Sequence, residues 1–165
     1  MIDARIFINS LESAEKILLE NKAIFKGDYL IIDKIYKSKD SEQTLDKIFL
    51  RLRSIPKNIW NEKSVIVSIK NTELKKVGKQ SIIPVKVEFD SEKQAKQFIE
   101  QNYFNDFIFD FEFSRTGKQY FIGEDGIDLE VVEGYPSIEF KSKTEEGLRN
   151  LLSLFNVTDN DVIKG

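Results

Sequence analysis

Apolar and polar residues alternate with a period of two along much of the chain, a pattern that predicts β-strands. The first predicted strand covers residues 2–8, with Ile2, Ala4, Ile6 and Ile8 on its apolar face. Similar patterns predict further strands over residues 49–53, 64–71, 84–90, 107–115 and 137–143. The chain is therefore expected to be rich in strands.

The connections between these strands carry turn signals. Residues 25–36 form a strand region that contains a Gly-Asp turn signal, and the polar residues 37–46 indicate a loop. The strand over 107–115 is expected to break at Thr116-Gly117, and residues 118–132 to form a hairpin around Asp125-Gly126. Pro56, Pro84 and Pro136 are expected where strands start or stop, because proline is kept out of sheet interiors.

Three segments have apolar residues at helical spacing instead. Asn9 is expected to cap the first helix, with Glu12 as its capping-box partner, and Ser91 with Gln94 to do the same for the second. The third helix is predicted over residues 144–156, with the apolar stripe Leu148, Leu151, Leu152 and Phe155.

The order of these elements predicts the fold class. A strand and a helix are followed by four strands, a helix, four strands and a last helix. Most connections between strands are short, which favours antiparallel pairing. We expect an α+β fold, an eight- or nine-stranded antiparallel β-barrel (tunnel) with about three helices packed outside. The length of 165 residues fits one domain over residues 1–165.

Composition limits the chemistry. The chain has no cysteine and no histidine, which excludes disulfides, zinc–thiolate sites, cysteine nucleophiles and Ser-His-Asp triads. A metal held by carboxylates alone would be a hard ion such as Mg, Mn or Ca. A net charge of −3 gives no basic excess for nucleic acid or an anionic membrane. With no signal-peptide pattern and no apolar run of membrane-spanning length, we expect a cytoplasmic protein.

The second face of strand after strand is charged. These residues are Asp3, Arg5, Arg51, Arg53, Lys70, Lys86, Glu88, Asp128, Glu130, Glu139 and Lys141, with Arg115 as a further candidate. Such faces can simply point to water, and this is the better interpretation of any single strand. If they line one cavity instead, the basic residues would bind phosphate oxygens and the carboxylates would hold Mg or Mn. Alternation is compatible with both interpretations.

The succession of motifs resembles the CYTH superfamily, the triphosphate tunnel metalloenzymes. The matching pieces span nearly the whole chain and are FLRLRS at 49–54, VIVSIKN at 65–71, VKVEFDSEKQAKQFI at 85–99, FSRTGKQY at 113–120 and IDLEVVEGYPSIEFKSK at 127–143. The family includes class IV adenylyl cyclases, thiamine triphosphatases and inorganic tripolyphosphatases. The resemblance implies an antiparallel tunnel in which Arg and Lys bind a triphosphate while Glu residues hold a divalent metal.

The resemblance also implies roles for individual residues. Its phosphate-binding positions match Arg51, Arg53, Lys70 and Arg115, and its acidic positions match Glu88, Glu130 and Glu139. The family opens with E-x-E-x-K, where this chain has Asp3, Arg5 and Phe7. Lys86 stands where an acid is usual, Lys141 replaces the last acid of a second E-x-E pair, and Phe113 replaces the lysine of a K-x-R pair. Arg5, Lys86 and Lys141 thus add positive charge to the expected phosphate site, and Asp3 is left as a candidate metal ligand.

Three functions remain open on this basis. The first is metal-dependent hydrolysis of a triphosphate, with Mg or Mn as cofactor, or a nucleotide cyclase reaction as a less favoured variant. The second is a catalytically inactive protein that binds a phosphorylated ligand in the tunnel without metal. The third is an interaction domain with solvated polar faces. The expected partner is a phosphorylated small molecule, without nucleic acid or membrane, and analogy with the cyclases suggests a homodimer.

Overall fold

The computed structural model describes residues 1–40 and 47–163, and these form eight strands and three α-helices. In chain order they are β1 (Ile2–Phe7), α1 (Leu11–Glu20), β2 (Ile24–Ser38), β3 (Ile48–Lys57), β4 (Val65–Leu74), β5 (Lys79–Phe89), α2 (Glu92–Tyr103), β6 (Phe107–Ile122), β7 (Asp125–Val132), β8 (Tyr135–Ser142) and α3 (Glu145–Leu154). One 3₁₀ turn follows at Asp159–Asp161. Most of the loop predicted over residues 37–46 lies outside the described residues, although β2 includes its first two positions.

The eight strands form a closed ring in the order β1-β5-β4-β3-β2-β6-β7-β8. The pairs β1–β5, β1–β8, β2–β3, β3–β4, β6–β7 and β7–β8 are all antiparallel. The prediction of an α+β fold, with eight antiparallel strands and three helices, is confirmed. Among the described helices, none is long and apolar enough to cross a membrane.

Contacts divide the chain into two compact units. The first unit comprises Met1–Tyr29, Leu74–Gln80 and Arg115–Gly165, and the second comprises Leu30–Glu73 and Ser81–Ser114. Each unit has its own apolar core, so each is described by itself below.

The core of the first unit lies between one sheet face and two helices. Strands β1, β7 and β8 contribute their alternate apolar residues, and helices α1 and α3 cover them. Phe140, Ile138 and Leu148 are completely buried at its centre. The stripe predicted for the third helix is confirmed, since Leu148, Leu151 and Leu152 are buried and Phe155 packs against them. The opposite face of these strands is left for polar side chains.

The core of the second unit has the same organisation around one helix. Leu50 and Leu52 of β3 pack with Val67 of β4 and with Ala95 and Ile99 of α2. Because side chains alternate across a strand, the positions between these residues face the other side of the sheet. The arginines of β3 occupy those positions.

Helix starts differ in part from the prediction. Ser10, not Asn9, caps α1: its backbone is extended and its hydroxyl accepts a hydrogen bond from the Ser13 N–H at 3.2 Å. Ser91 caps α2 as predicted, accepting from the Gln94 N–H. The Gln94 side chain accepts from the Asp90 N–H at 3.3 Å, one residue before the position that a capping box uses.

Four local signals were predicted wrongly. The Gly-Asp signal at 27–28 forms no turn and lies inside β2, and the expected break at 116–117 lies inside the continuous strand β6. The turn of the predicted hairpin comes at residues 123–124, where Gly123 has φ +60°, instead of at 125–126. Pro84 lies within β5 at an exposed position and not at a strand end. Long-range pairing therefore overrides these local signals.

Candidate functional site

The polar face of the first unit carries a network of charged residues on β1, β6, β7 and β8. Arg5 of β1 lies opposite Glu139 of β8, and Glu130 of β7 lies opposite Ser137 of β8. Side chains that face each other across neighbouring strands point to the same side of a sheet. The strand register therefore brings Arg5 together with both glutamates.

Arg5 is the centre of this network. Its Nη2 atom contacts Glu139 Oε2 and lies 2.7 Å from Glu130 Oε1, while its Nη1 atom donates to Ser137 Oγ at 2.8 Å. Glu130 is 1% exposed and Glu139 is 15% exposed. One guanidinium thus compensates two carboxylates that are largely removed from water, a role for which its planar set of donors is suited.

Glu130 is held from the other side by a tyrosine and a second arginine. The Tyr29 hydroxyl donates to Glu130 Oε2, and Arg115 Nε lies 3.4 Å from the same oxygen. Tyr29 reaches this point across Gly117 of β6, since a Cβ atom there would lie 2.3 Å from Tyr29 Cζ. Gly117 is therefore a site of close approach, not the strand break that the sequence predicted.

Asp128 and Lys141 extend the network. Lys141 Nζ lies 3.3 Å from Asp128 Oδ2 and 3.2 Å from Glu139 Oε1, and Gln119 donates to Asp128 Oδ1 at 3.1 Å. Three basic residues are thus in contact with three carboxylates. Both oxygens of each carboxylate are already engaged by protein donors.

The pKa values follow from burial and from these charges. Burial by itself would lower the pKa of Arg5 and raise that of Glu139, but the ion pairs outweigh burial, so the pKa of Arg5 rises and that of Glu139 falls well below its usual range. Lys141 likewise has a raised pKa, since Glu139 and Asp128 outweigh its burial. Burial and the nearby charge of Glu130 raise the pKa of Tyr29, which keeps its phenol protonated as a donor. Arg5, Lys141 and Glu139 therefore stay charged at neutral pH.

Asp128 differs from its neighbours. Its burial raises the pKa of the carboxyl above the ordinary value, and Lys141 only partly opposes this shift. Asp128 therefore takes up a proton at a higher pH than an ordinary aspartate does.

The polar face of the second unit contains a basic cluster, defined as Arg51, Arg53 and Lys70 with Ser68. Arg51 of β3 lies directly opposite Ser68 of β4, and Lys70 is the next residue on the same face of β4. The Ser68 hydroxyl is buried and has no hydrogen-bond partner among the described residues. The cluster thus combines three cations with a buried hydroxyl.

Arg53 has a defined acidic partner. Its Nε and Nη2 atoms donate to Asp33 Oδ1 and Oδ2 at 2.8 and 2.9 Å, a bidentate pair in which the aspartate is 1% exposed. Asp33 lies opposite Arg53 in the β2–β3 register. Asp33 thus holds Arg53 in place at the edge of the basic cluster.

The remaining predicted residues lie apart from these contacts. Lys86 and Glu88 of β5 are exposed, and Lys86 pairs with Glu62 of the same unit. Asp3 is partly buried on the same face of β1 as Arg5, and lies opposite Lys141 in the register. The first unit therefore brings together five predicted residues, which are Arg5, Arg115, Glu130, Glu139 and Lys141.

Several polar contacts were missed from the sequence. Tyr29, Asp33, Gln119 and Ser137 were not among the predicted site residues, and Asp128 was noted only as a charged face position. Asp33 had a visible signal, because it is a lone acid between Ile31 and Ile35 on one face of a strand. Tyr29 had none, since its partner Glu130 lies far along the chain.

The contacts in the first unit do not fit a divalent metal. A hard cation requires several oxygen ligands whose negative charge is not already neutralised. Here the oxygens of Asp128, Glu130 and Glu139 already contact the donors of Arg5, Tyr29, Gln119 and Lys141, and Arg115 Nε lies 3.4 Å from Glu130. Within residues 1–40 and 47–163, no group of three or more acidic, cysteine or histidine residues is placed to hold a metal ion. The expected Mg or Mn stays a prediction.

Comparison with known proteins supports the fold. No protein-family model and no curated protein matches the sequence. Among solved structures, the PH1012 protein of Pyrococcus horikoshii superposes with a TM-score of 0.76 at 14% identity, over 98% of this chain and 93% of that one. A candidate adenylate cyclase of Vibrio parahaemolyticus gives 0.69 at 14% identity, over 99% and 92% of the two chains.

A third solved structure carries a description of activity. It is the candidate adenylyl cyclase HpAC1 of Hippeastrum, described as having a dominant triphosphatase activity, with a TM-score of 0.66 at 13% identity, over 97% of this chain and 88% of that one. At these identities the similarity shows a shared fold. The chain therefore shares the fold of these structures, among them proteins described as candidate adenylate cyclases, and this agrees with the resemblance to CYTH proteins that the order of its sequence motifs indicated.

Proposed function

We propose that this protein binds a phosphorylated small molecule of the triphosphate class, through the basic cluster of the second unit and without a metal ion. The observation that carries the proposal is the arrangement of Arg51, Ser68 and Lys70 on one sheet face. Two cations and a buried hydroxyl donor without a partner among the described residues supply the groups that phosphate oxygens accept from. The fold, shared with proteins described as cyclases and a triphosphatase, supports the same ligand class.

The charge of this face favours an anion. Three basic residues, namely Arg51, Arg53 and Lys70, occupy it against the carboxylate of Asp33. Arg51 and Lys70 are partly buried, so their attraction for an anion is screened less than that of exposed residues. Arg53 is fixed by Asp33 and adds charge without needing to move.

The first unit supports the proposal that no metal is required. Arg5 and Lys141 supply positive charge to the carboxylates that a divalent ion would otherwise bind. A divalent ion at these carboxylates would have to displace the ion pairs, and breaking a buried pair costs several kcal/mol. Binding by arginine and lysine alone avoids this cost.

Calorimetric titration with tripolyphosphate in EDTA tests the proposal. We expect saturable binding that weakens as salt is added, and at least a roughly tenfold loss of affinity in Arg51→Ala, since a hydrogen bond to a charged group contributes about 1.5–3 kcal/mol. Arg149→Ala is the matched control, because Arg149 is an exposed arginine that pairs with Asp159 in the first unit. No binding in EDTA, or equal losses in both variants, would contradict the proposal.

Hydrolysis of a triphosphate is the second candidate function. The fold shared with the Hippeastrum protein, whose dominant activity is described as triphosphatase, favours it. The test is phosphate release from tripolyphosphate, ATP and thiamine triphosphate with Mg or Mn. Turnover that Arg51→Ala abolishes would establish hydrolysis, whereas binding without turnover across this panel would leave ligand binding as the function.

A further inference from the structure

We propose that the Arg5 guanidinium is a built-in substitute for a divalent cation, and that removing it turns its surroundings into a metal site. This inference concerns cation binding in the first unit and goes beyond the proposed binding of an anion by the second. The carboxylates of the first unit do not fit a metal ion as they stand, because Arg5 already neutralises two of them.

The ligands of Arg5 are those that a hard cation prefers. The guanidinium contacts one oxygen of Glu130, one oxygen of Glu139 and the hydroxyl of Ser137. Carboxylate and neutral oxygen ligands of this kind coordinate Mg²⁺, Mn²⁺ and Ca²⁺ in proteins. All three residues lie on neighbouring strands and are held in register by the β1–β8 and β7–β8 pairs. The strand pairing therefore fixes the backbone positions of all three residues independently of the Arg5 side chain.

Charge gives the second reason. Glu130 is almost completely buried and Glu139 largely so, so their negative charges require a cation nearby. Lys141 contacts the Glu139 oxygen that does not face Arg5, and Arg115 contacts the Glu130 oxygen that does not face Arg5. Without Arg5, the two oxygens that it contacts lose the cation that neutralises them, and a divalent ion would supply the missing positive charge.

Manganese binding to Arg5→Ala is the experiment. We expect the variant to bind Mn²⁺ at least roughly tenfold more tightly than the wild type, in a range typical of weak oxygen sites, as measured by the loss of the free Mn²⁺ signal in electron paramagnetic resonance. We also expect Mn²⁺ to raise the melting temperature of Arg5→Ala and to leave that of the wild type unchanged, because a ligand that binds the folded state stabilises it.

Three variants serve as controls. Arg5→Lys keeps a cation beside the glutamates and should show no gain of Mn²⁺ affinity. Arg5→Ala combined with Glu130→Gln should lose the gain, because one carboxylate ligand is gone. Arg149→Ala removes an exposed arginine from an ion pair with Asp159 and should behave as the wild type. Arg5→Gln, which keeps a hydrogen-bond donor, is a second test variant in case Arg5→Ala is too unstable.

The outcomes separate cleanly. The inference is overturned if Arg5→Ala or Arg5→Gln folds and binds Mn²⁺ no better than the wild type, or if the wild type already binds it as tightly. It is also overturned if both variants stay unfolded with Mn²⁺ present, since the ion should then replace the missing charge. None of these results depends on tripolyphosphate binding, so failure here is distinguishable from failure of the proposed function.

Discussion

The Tyr29 ring lies directly over Gly117, so close that a Cβ atom on Gly117 would come within 2.3 Å of Tyr29 Cζ. This contact is what lets the Tyr29 hydroxyl reach Glu130. Gly117 is thus required by packing, within a strand that runs without interruption from Phe107 to Ile122. The charged network of the first unit therefore depends on the absence of a side chain at residue 117.

Gly117→Ala is predicted to destabilise the protein by about 1–3 kcal/mol, because the methyl group overlaps the Tyr29 ring. The measurement is the midpoint of urea unfolding. In a Tyr29→Ala background the same change should cost much less, since the ring is absent and the two sites are in contact. Gly126→Ala is the matched control, because a Cβ atom there meets nothing closer than 3.7 Å. Equal costs in both Tyr29 backgrounds would show that the ring is not the cause.

Asp33 is predicted to restrain the anion affinity of the basic cluster. Asp33→Asn removes one negative charge beside Arg53 while it keeps the shape of the side chain. The repulsion between two unit charges at contact distance in water is about 1 kcal/mol. Removing the repulsion between Asp33 and the ligand should therefore make tripolyphosphate bind about fivefold more tightly, as measured by calorimetry. The exposed Asp90→Asn is the control and should have no effect. Unchanged or weaker binding by Asp33→Asn would contradict the location of the site.

The same position should also contribute to stability. Asp33→Ala leaves the largely buried Arg53 without its bidentate partner, and removing one member of a buried pair costs about 3–5 kcal/mol. We expect a marked fall in the free energy of unfolding, measured by urea denaturation. Removing the exposed pair Lys143–Glu124 by Lys143→Ala should cost far less. Similar small losses in both variants would show that the Asp33–Arg53 pair is not important for folding.

Glu139 is expected to make the free energy of unfolding depend on pH. Its pKa is lowered because Lys141, Arg5 and Arg115 outweigh its burial. Below the ordinary pKa of 4.5, the unfolded chain takes up a proton that the folded chain does not, so this contribution to stability is present above that pH and is lost as the pH falls. Glu139→Gln should therefore lose less stability than the wild type between about pH 5 and about pH 3.

Asp128 acts in the opposite sense, because its pKa is raised and the folded chain takes up a proton first. Because Glu139 is one of the charges that raise the pKa of Asp128, the comparison is made with Asp128→Asn in both proteins, and the difference between them then reports on Glu139. The exposed Glu100→Gln is the control and should follow the wild-type curve. A Glu139→Gln curve parallel to that of the wild type would contradict the assignment of the ion pairs.

Much of the architecture could be predicted because alternation and capping are local properties. The strand faces, the closed antiparallel sheet and the three helices follow from patterns of two or about four residues. The charged residues brought together with Arg5 were also predicted, since they fall on the charged face of their strands, whereas the uncharged members Tyr29, Gln119 and Ser137 were not. What alternation could not give was the partner of each charge, because partners are set by strand register between distant segments.

Two mistakes show the physical limit of such prediction. The Gly117 position was interpreted as a strand break, since glycine is common where strands end. In the structure, the ring of Tyr29, which lies 88 positions earlier in the chain, fills the space where a side chain of residue 117 would be. Asp33 was passed over within an apolar strand, yet it lies opposite Arg53 and holds it. Both residues act through contacts that no local sequence window contains.

A crystal structure of the protein with tripolyphosphate, grown in EDTA, tests the central claim most directly. The account predicts phosphate oxygens within hydrogen-bond distance of the Arg51 guanidinium and the Lys70 ammonium, with Arg5 still bridging Glu130 and Glu139. A ligand bound away from Arg51 and Lys70, or one that binds only when a divalent metal is added, would contradict it.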